Sequence, residues 1–284
     1  MKASTAPAKR IYYLGPEGSF SYILVSQLFG TSYELIPCGS FPEVAARLRE
    51  DTTAIGVLGI ENTNSSDVHE CVDIMFEEKF RILGEASLKI RMHLIGLPGA
   101  RLAEIREVYS HRQAILQCSD FIRERGLSVH TVESTSAGKQ LVLAVGDPGK
   151  ATIGSSALAQ DGSVEILAED IATVSHNMTR FICVSPTPQV VSNLNEKAEK
   201  LTYIFQLKHE PGSLASVLNG LAEHRVNLTK IQSRPIPGTD WEYVFWADME
   251  IPHTTERVVS RVLEAHSTSY TLLGAYEKGR VYPS

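Results

Sequence analysis

The sequence predicts an α/β protein built from two units, and three observations carry that prediction. Short β-rich runs alternate with helical periodicity up to about residue 185. A polar, turn-rich stretch follows, and beyond it strands and helices recur in the order βαββαβ. The length of 284 residues exceeds what one ordinary domain needs.

The strand candidates in the first region are Ile11–Gly15, Tyr33–Cys38, Ala54–Glu61, Arg81–Gly96, Val108–Ser110, Val129–Val132, Ala151–Gly154, Val164–Ala168 and Arg180–Val184. Between them Val68, Val72, Met75 and Phe76 fall at i, i+4, i+7 and i+8, one face of a helix. Ile115, Cys118, Phe121 and Ile122 repeat that spacing. Alternating strands and helices imply right-handed βαβ units and a largely parallel sheet. The run Arg81–Gly96 is too long for one strand and reads as a crossover between two lobes, with a return through 168–184. Two lobes joined twice enclose a cleft, a common place for a ligand. Residues 1–185 are therefore one two-lobed domain and 186–200 a linker. In 201–284 the strands Leu201–Lys208, Leu228–Pro235, Tyr243–Ile251 and Tyr270–Tyr276 enclose two helices, a ferredoxin-like order.

Composition narrows the function classes. Lys plus Arg number 27 against 33 Asp plus Glu, a formal charge of −6 that argues against nucleic-acid binding. Hydrophobic residues make up 43% and charged residues 21%, ordinary values for a globular protein. No apolar run approaches the ~20 residues that span a bilayer, and Met1–Arg10 lacks the apolar core of a secretory signal. Cys38, Cys71, Cys118 and Cys183 form no CxxC pair and read as reduced thiols of a cytoplasmic protein without a zinc site.

The chemistry concentrates at strand-to-helix junctions. Gly18-Ser19-Phe20-Ser21, Glu61-Asn62-Thr63-Asn64-Ser65, Tyr109-Ser110-His111, Ser134-Thr135-Ser136 and Gly154-Ser155-Ser156 each bring small hydroxyl or amide side chains to a helix start. N-capping explains any one of them. Five in one region point to a small anion held at helix N-termini, where free N–H groups and the positive dipole end gather. Arg180, in the cluster Asn177–Phe181, reads either as a bidentate carboxylate partner or as a surface cation. In the last region Gly212, Ser213 and Leu214 open a helix and Asn227 opens a strand, which suits either turn chemistry or an amino-acid site at a dimer interface.

Together these segments resemble the prephenate dehydratase family: Tyr13–Ser21 (YLGPEGSFS), Gly59–Thr63 (GIENT), Tyr109–Ala114 (YSHRQA), Glu133–Ala137 (ESTSA) and Asn177–Phe181 (NMTRF), in that family's order and spacing. The last region is similar to its regulatory ACT domain through Glu210–Leu214 (EPGSL) and Gln232–Pro235 (QSRP). The resemblance implies a periplasmic-binding-protein-like two-lobed catalytic domain that converts prephenate to phenylpyruvate, water and carbon dioxide without cofactor or metal. It implies Thr179 as the catalytic hydroxyl, with Asn62, Ser110 and Gln117 positioning the ring. Arg180, Phe181, Ser134, Thr135, Ser136, Ser19, Phe20 and Thr63 are the implied substrate contacts. Gly212, Ser213, Leu214, Asn227, Gln232, Ser233 and Arg234 would bind L-phenylalanine as an allosteric effector between paired ACT domains, in a homodimer or homotetramer. The sequence departs from the family pattern at Tyr22, Gly59, Asp67, Arg112, Ser213 and Gln232. An arogenate dehydratase, a non-aromatising prephenate decarboxylase and a catalytically silent amino-acid sensor are the competing expectations.

Overall fold

A computed structural model describes residues 9–64, 66–186, 198–236, 238–239, 242–251 and 256–284, without the side chains of 66 and 67. Most of the expected linker at 186–200 lies outside the described residues, as does the side chain of Asp67.

The first lobe begins with β1 (Arg10–Leu14), α1 (Phe20–Phe29), β2 (Glu34–Cys38), α2 (Phe41–Glu50), β3 (Ile55–Asn62), the short β4 (Ser66–Asp67), α3 (His69–Glu78) and β5 (Arg81–Lys89). Strand β1 runs parallel to both β2 and β3. Strand β3 is buried on both faces from Ile55 to Ile60, as a central parallel strand requires. Helix α2 shows why its residues are helical. Ser40 caps it, Glu43 sits in the first turn and Arg47 and Arg49 in the last. Its buried face is Phe41, Val44, Ala45 and Leu48.

The second lobe comprises β6 (His93–Gly96), β7 (Glu107–His111), α4 (Arg112–Gln117), α5 (Ser119–Arg125), β8 (Ser128–Val132), α6 (Thr135–Val145), β9 (Lys150–Gly154) and β10 (Glu165–Ala168). The long apolar run divides at Ile90–Met92, where the chain passes from β5 in one sheet to β6 in the other. It returns as β11 (Met178–Ser185), inserted antiparallel between β3 and β5. Both sheets are therefore mixed rather than largely parallel, because the strand that follows each crossing, β6 or β11, runs antiparallel to both of its neighbours. The helical pattern around Cys118 is two helices, broken at that residue, rather than one.

The second unit is β12 (Lys200–Gln206), α7 (Ser213–Glu223), β13 (Asn227–Pro235), β14 (Tyr243–Glu250), α8 (Glu256–His266) and β15 (Ser269–Tyr276), with sheet order β13-β14-β12-β15. One face packs Tyr203, Leu201 and Met249 against Val217, Leu221, Val259 and Leu263 of its own helices. The other face, through Ile204, Trp246, Leu273 and Tyr276, shares a core with Tyr12, Leu58, Ile82 and Ile182 of the first lobe. The end of the chain then leaves this unit: β16 (Val281–Tyr282) pairs parallel with β5, in the first lobe's sheet. No helix among the described residues is long and apolar enough to cross a membrane. The four cysteines are free, and burial pushes the Cys118 thiol up to about 12, a poor nucleophile.

Strands β15 and β5 approach so closely that a Cβ at Gly274 would stand 2.5 Å from the Ile82 carbonyl oxygen. Gly274→Ala should force the two units apart and lower stability by about 1–3 kcal/mol, as overpacking does. The check is the midpoint of denaturant unfolding, and an unchanged midpoint would mean that this contact yields freely.

Candidate active site

The cleft between the lobes is a cavity of about 340 Å³, within the range of small-molecule sites. Its walls come from the β1–α1 turn (Gly15, Pro16, Ser19, Phe20), from Asn62 and Thr179, and from His111, Gln113, Gln117, Ser134 and Thr135 across the cleft. Ile90 and Met92 at the crossover line it as well. The lobes touch at its rim, where Ser155 Oγ donates to the Gly18 carbonyl at 3.0 Å and Ser136 Oγ to that of Glu17 at 3.4 Å.

The ladder between β3 and β11 builds the centre of the site, since its register sets Thr179 opposite Asn62. Asn62 Nδ2 donates to Thr179 Oγ1 at 2.9 Å, to Asn177 Oδ1 at 2.8 Å and to the Met178 carbonyl at 3.1 Å. Asn177 Nδ2 donates in turn to Gln117 Oε1 at 3.2 Å. The chain Gln117–Asn177–Asn62–Thr179 thus runs from the second lobe to the first. A hydroxyl has one hydrogen and two lone pairs. Thr179 accepts from Asn62, and no acceptor among the described residues takes its own hydrogen, which can be offered to a ligand.

Two helices add anion-binding character. Ser19 caps α1, accepting from the Tyr22 N–H at 3.2 Å and donating to the Leu14 carbonyl at 3.1 Å. Ser134 caps α6, accepting from the Ala137 N–H at 3.0 Å. Helix α6 sits tight on its sheet because Gly138 lies against the Tyr109 carbonyl, which a Cβ would approach to 2.4 Å. Both N-termini open on the cavity and present their free N–H groups. His111 caps α4 through Nδ1, which accepts from the Gln113 N–H at 3.2 Å and leaves Nε2 to carry the hydrogen of the neutral ring.

Several expected contacts are elsewhere. Arg180 follows Thr179 on the same strand and therefore points through the opposite face of the sheet. There its Nε donates to Glu85 Oε2 at 2.7 Å, Nη1 to Asp248 Oδ2 at 2.5 Å and to Glu61 Oε1 at 3.4 Å, and Nη2 to the Tyr276 hydroxyl at 3.3 Å. Burial disfavours its charge, but Asp248, then Tyr276, Glu85 and Glu61, more than offset that and raise its pKa. The expectation that Arg180 holds the substrate carboxylate fails on this geometry, and among the described residues no Lys or Arg lines the cavity. Phe181 is a core residue packed with Tyr13 and Ala86. Ser110 is buried and donates to the Ile153 carbonyl at 2.6 Å, outside the cavity lining. Thr63 accepts from the Met178 N–H at 3.0 Å and does not line the cavity, nor does Ser136. Gly59, Arg112 and Tyr22 are likewise absent from the lining. Gly59 faces Phe181 at a β-bulge.

The lining also includes residues to which the sequence assigns no site role: His111, Gln113, Glu133 and Met92. The buried Asn177 belongs with them as the link between Asn62 and Gln117. Its sequence signal is an Asn immediately before an apolar strand, which a turn explains equally well.

The residues expected to bind an effector are dispersed over the ACT-like unit. Gly212 takes a left-handed conformation (φ 88°) before α7, and Ser213 and Leu214 line a pocket of about 150 Å³ with Glu210, Tyr243 and Phe245. Asn227 opens β13 beyond the far end of the 11-residue α7, a helix about 16 Å long. Gln232 and Arg234 face the first lobe, where Arg234 pairs with both carboxylate oxygens of Asp73 on α3. Gln232 Oε1 is buried without a hydrogen-bond partner among the described residues. Ser233, on the alternate side of β13, faces away from them.

Comparisons with known proteins agree with this architecture. The family model for prephenate dehydratase matches residues 11–189, and that for the ACT domain residues 202–266. The prephenate dehydratase of Methanocaldococcus jannaschii is 33% identical over 273 residues, covering 94% of this chain and 98% of that protein. The structure of an Arthrobacter aurescens prephenate dehydratase in complex with L-Phe superposes with a TM-score of 0.82 at 29% identity, over 95% of this chain and 90% of that one. A structure described as a novel type of quorum quenching acylase, GqqA, has a TM-score of 0.83 at 25% identity, over 95% and 98% of the two chains. With a family match across the two-lobed region and a relative that aligns along nearly its whole length, the chain belongs to the prephenate dehydratase family.

Proposed function

We propose that the cleft binds prephenate and converts it to phenylpyruvate, carbon dioxide and water. The observation that carries this reading is Thr179, whose oxygen is fixed by Asn62 while its hydrogen is free to meet a leaving oxygen in the cavity. Prephenate loses a carboxylate as carbon dioxide and its ring hydroxyl as hydroxide. The electron pair of the broken C–C bond completes the aromatic ring, and a proton from solvent turns the hydroxide into water. The reaction is strongly downhill, so the protein has to orient the substrate and stabilise charge on the departing oxygen. Thr179 does the latter by hydrogen bonding, since an alcohol is far too weak an acid to ionise first. The N-termini of α1 and α6, with Thr135 and Gln113, take the two carboxylates. The site holds its dianion through neutral donors.

Glu133 in the lining favours a second reading. Arogenate carries an ammonium group where prephenate has a keto group, and a carboxylate at the cavity would suit it. Regulation by L-phenylalanine is proposed from the ACT match and the pocket at α7, and the L-Phe complex of the Arthrobacter relative supports it. The dispersal of Gly212–Leu214 and Asn227 in one chain fits a site completed by a second copy, hence a homodimer or homotetramer. Four free thiols, three of them buried, support a cytoplasmic location.

Thr179→Val keeps the side-chain shape and should lower kcat on prephenate by about 10²–10³, the usual loss of one such donor. Phenylpyruvate absorbance measures it; equal turnover by wild type and variant would remove Thr179 from the mechanism. Running prephenate and arogenate in parallel decides the substrate, and Glu133→Gln should impair only arogenate turnover if that is the true one. Calorimetry should detect L-phenylalanine binding and light scattering an oligomer; absence of heat would reject the proposed effector.

A further inference from the structure

We propose that Arg180 is a positioning residue for the Thr179–Asn62 pair and that the ACT sheet, not the substrate, holds it. The inference rests on the assignment of that pair to the reaction. Two adjacent rungs of one ladder carry it, since Thr179 pairs with Asn62 and Arg180 with Glu61. Side chains alternate along a strand, so the first rung faces the cleft and the second faces the ACT sheet. On that reverse face all three guanidinium nitrogens of Arg180 are engaged, one of them by Asp248 of β14 at 2.5 Å. Asp248 is fully buried, fixed by Thr202 Oγ1 at 2.7 Å and Trp246 Nε1 at 2.8 Å. Glu61 is gripped in parallel by Lys230 of β13, 2.5 Å away. Glu85 takes Lys200 of β12 at 2.9 Å as well as Arg180.

Each residue of the catalytic pair is thus one peptide unit from a side chain tethered to the ACT sheet. A displacement of β13 and β14 against the first lobe pulls on Arg180 and Glu61 and alters the 2.9 Å contact between Asn62 and Thr179 on the other face. Catalysis is sensitive to misplacements of about 1 Å, so small displacements suffice. Arg180 therefore governs the rate of the chemical step and leaves substrate affinity nearly untouched.

The test compares kcat and KM on prephenate for the full chain and for Thr179→Val, Arg180→Lys, Asp248→Asn and Lys230→Met. Arg180→Lys keeps the charge but loses the fork that spans Glu85, Asp248 and Tyr276. Arg180→Lys and Asp248→Asn should lower kcat by about 10–10²-fold, with KM within about twofold, as expected of misalignment. Lys230→Met, at the edge of the cluster, should lower kcat by about two- to tenfold with its melting temperature kept. It decides the question if the other two fail to fold. A large rise in KM with kcat preserved in Arg180→Lys would mean that the arginine binds substrate, and would overturn the proposal. So would unchanged kcat in folded Lys230→Met and Asp248→Asn. If instead wild type is inactive or Thr179→Val is as fast as wild type, the assignment of the pair fails first and the inference falls with it.

Discussion

Asp248 is a carboxylate with no access to solvent, and the arrangement of the molecule follows from what neutralises it. A buried ion without a partner costs several kcal/mol, so the ACT sheet must meet a cation when it docks. Arg180 is that cation, and it comes from the strand that also carries Thr179. Around them Arg180, Lys200 and Lys230 face Glu61, Glu85 and Asp248, and the charges balance within the contact. The apolar side chains beside them, Trp246, Leu273, Ile204 and Ile82, supply the adhesion. The ion pairs add direction to that adhesion, because in this register each of the six charges meets an opposite one.

The same geometry explains which residues could be recognised in advance. Thr179, Asn62, Gln117, Ser19, Phe20, Ser134 and Thr135 were legible as cavity residues and line it together. Capping chemistry and the family motifs are local and survive folding unchanged. Arg180 lies outside the cleft although the family motif Thr-Arg-Phe runs through it. On a strand consecutive side chains face opposite ways, and Thr179 and Arg180 cannot share a cleft. Phe181, by contrast, depends on a bulge opposite Gly59 that no local pattern announces. Asn177 and Glu133 belong to the site through contacts more than 50 residues apart or across the lobes, which only the assembled fold defines.

A cavity with no lysine or arginine among the described residues of its lining has a particular electrostatic character. Backbone N–H groups at helix ends are held by the helices themselves and need no reorganisation when charge moves during reaction. A mobile cation would follow the substrate carboxylates and stabilise the ground state as well as the transition state, which gains nothing in rate. Fixed dipoles favour the charge distribution for which they are aimed. The guanidinium of Arg180 is committed behind the sheet, and the described lining offers neutral donors in its place.

The short β16 pairing gives the ACT unit a second attachment. The unit leaves the first lobe's sheet after β11 and re-enters it at β16, beside β5, with Gly279 close enough that a Cβ would stand 2.4 Å from the Glu85 carbonyl. A body fixed at one end can swing through a wide arc; a body fixed at both ends of the same sheet cannot. Its remaining freedom is a small slide or tilt across the shared face. A message sent from such a mount is short in travel and high in stiffness, which suits a receiver whose working distance is one hydrogen bond.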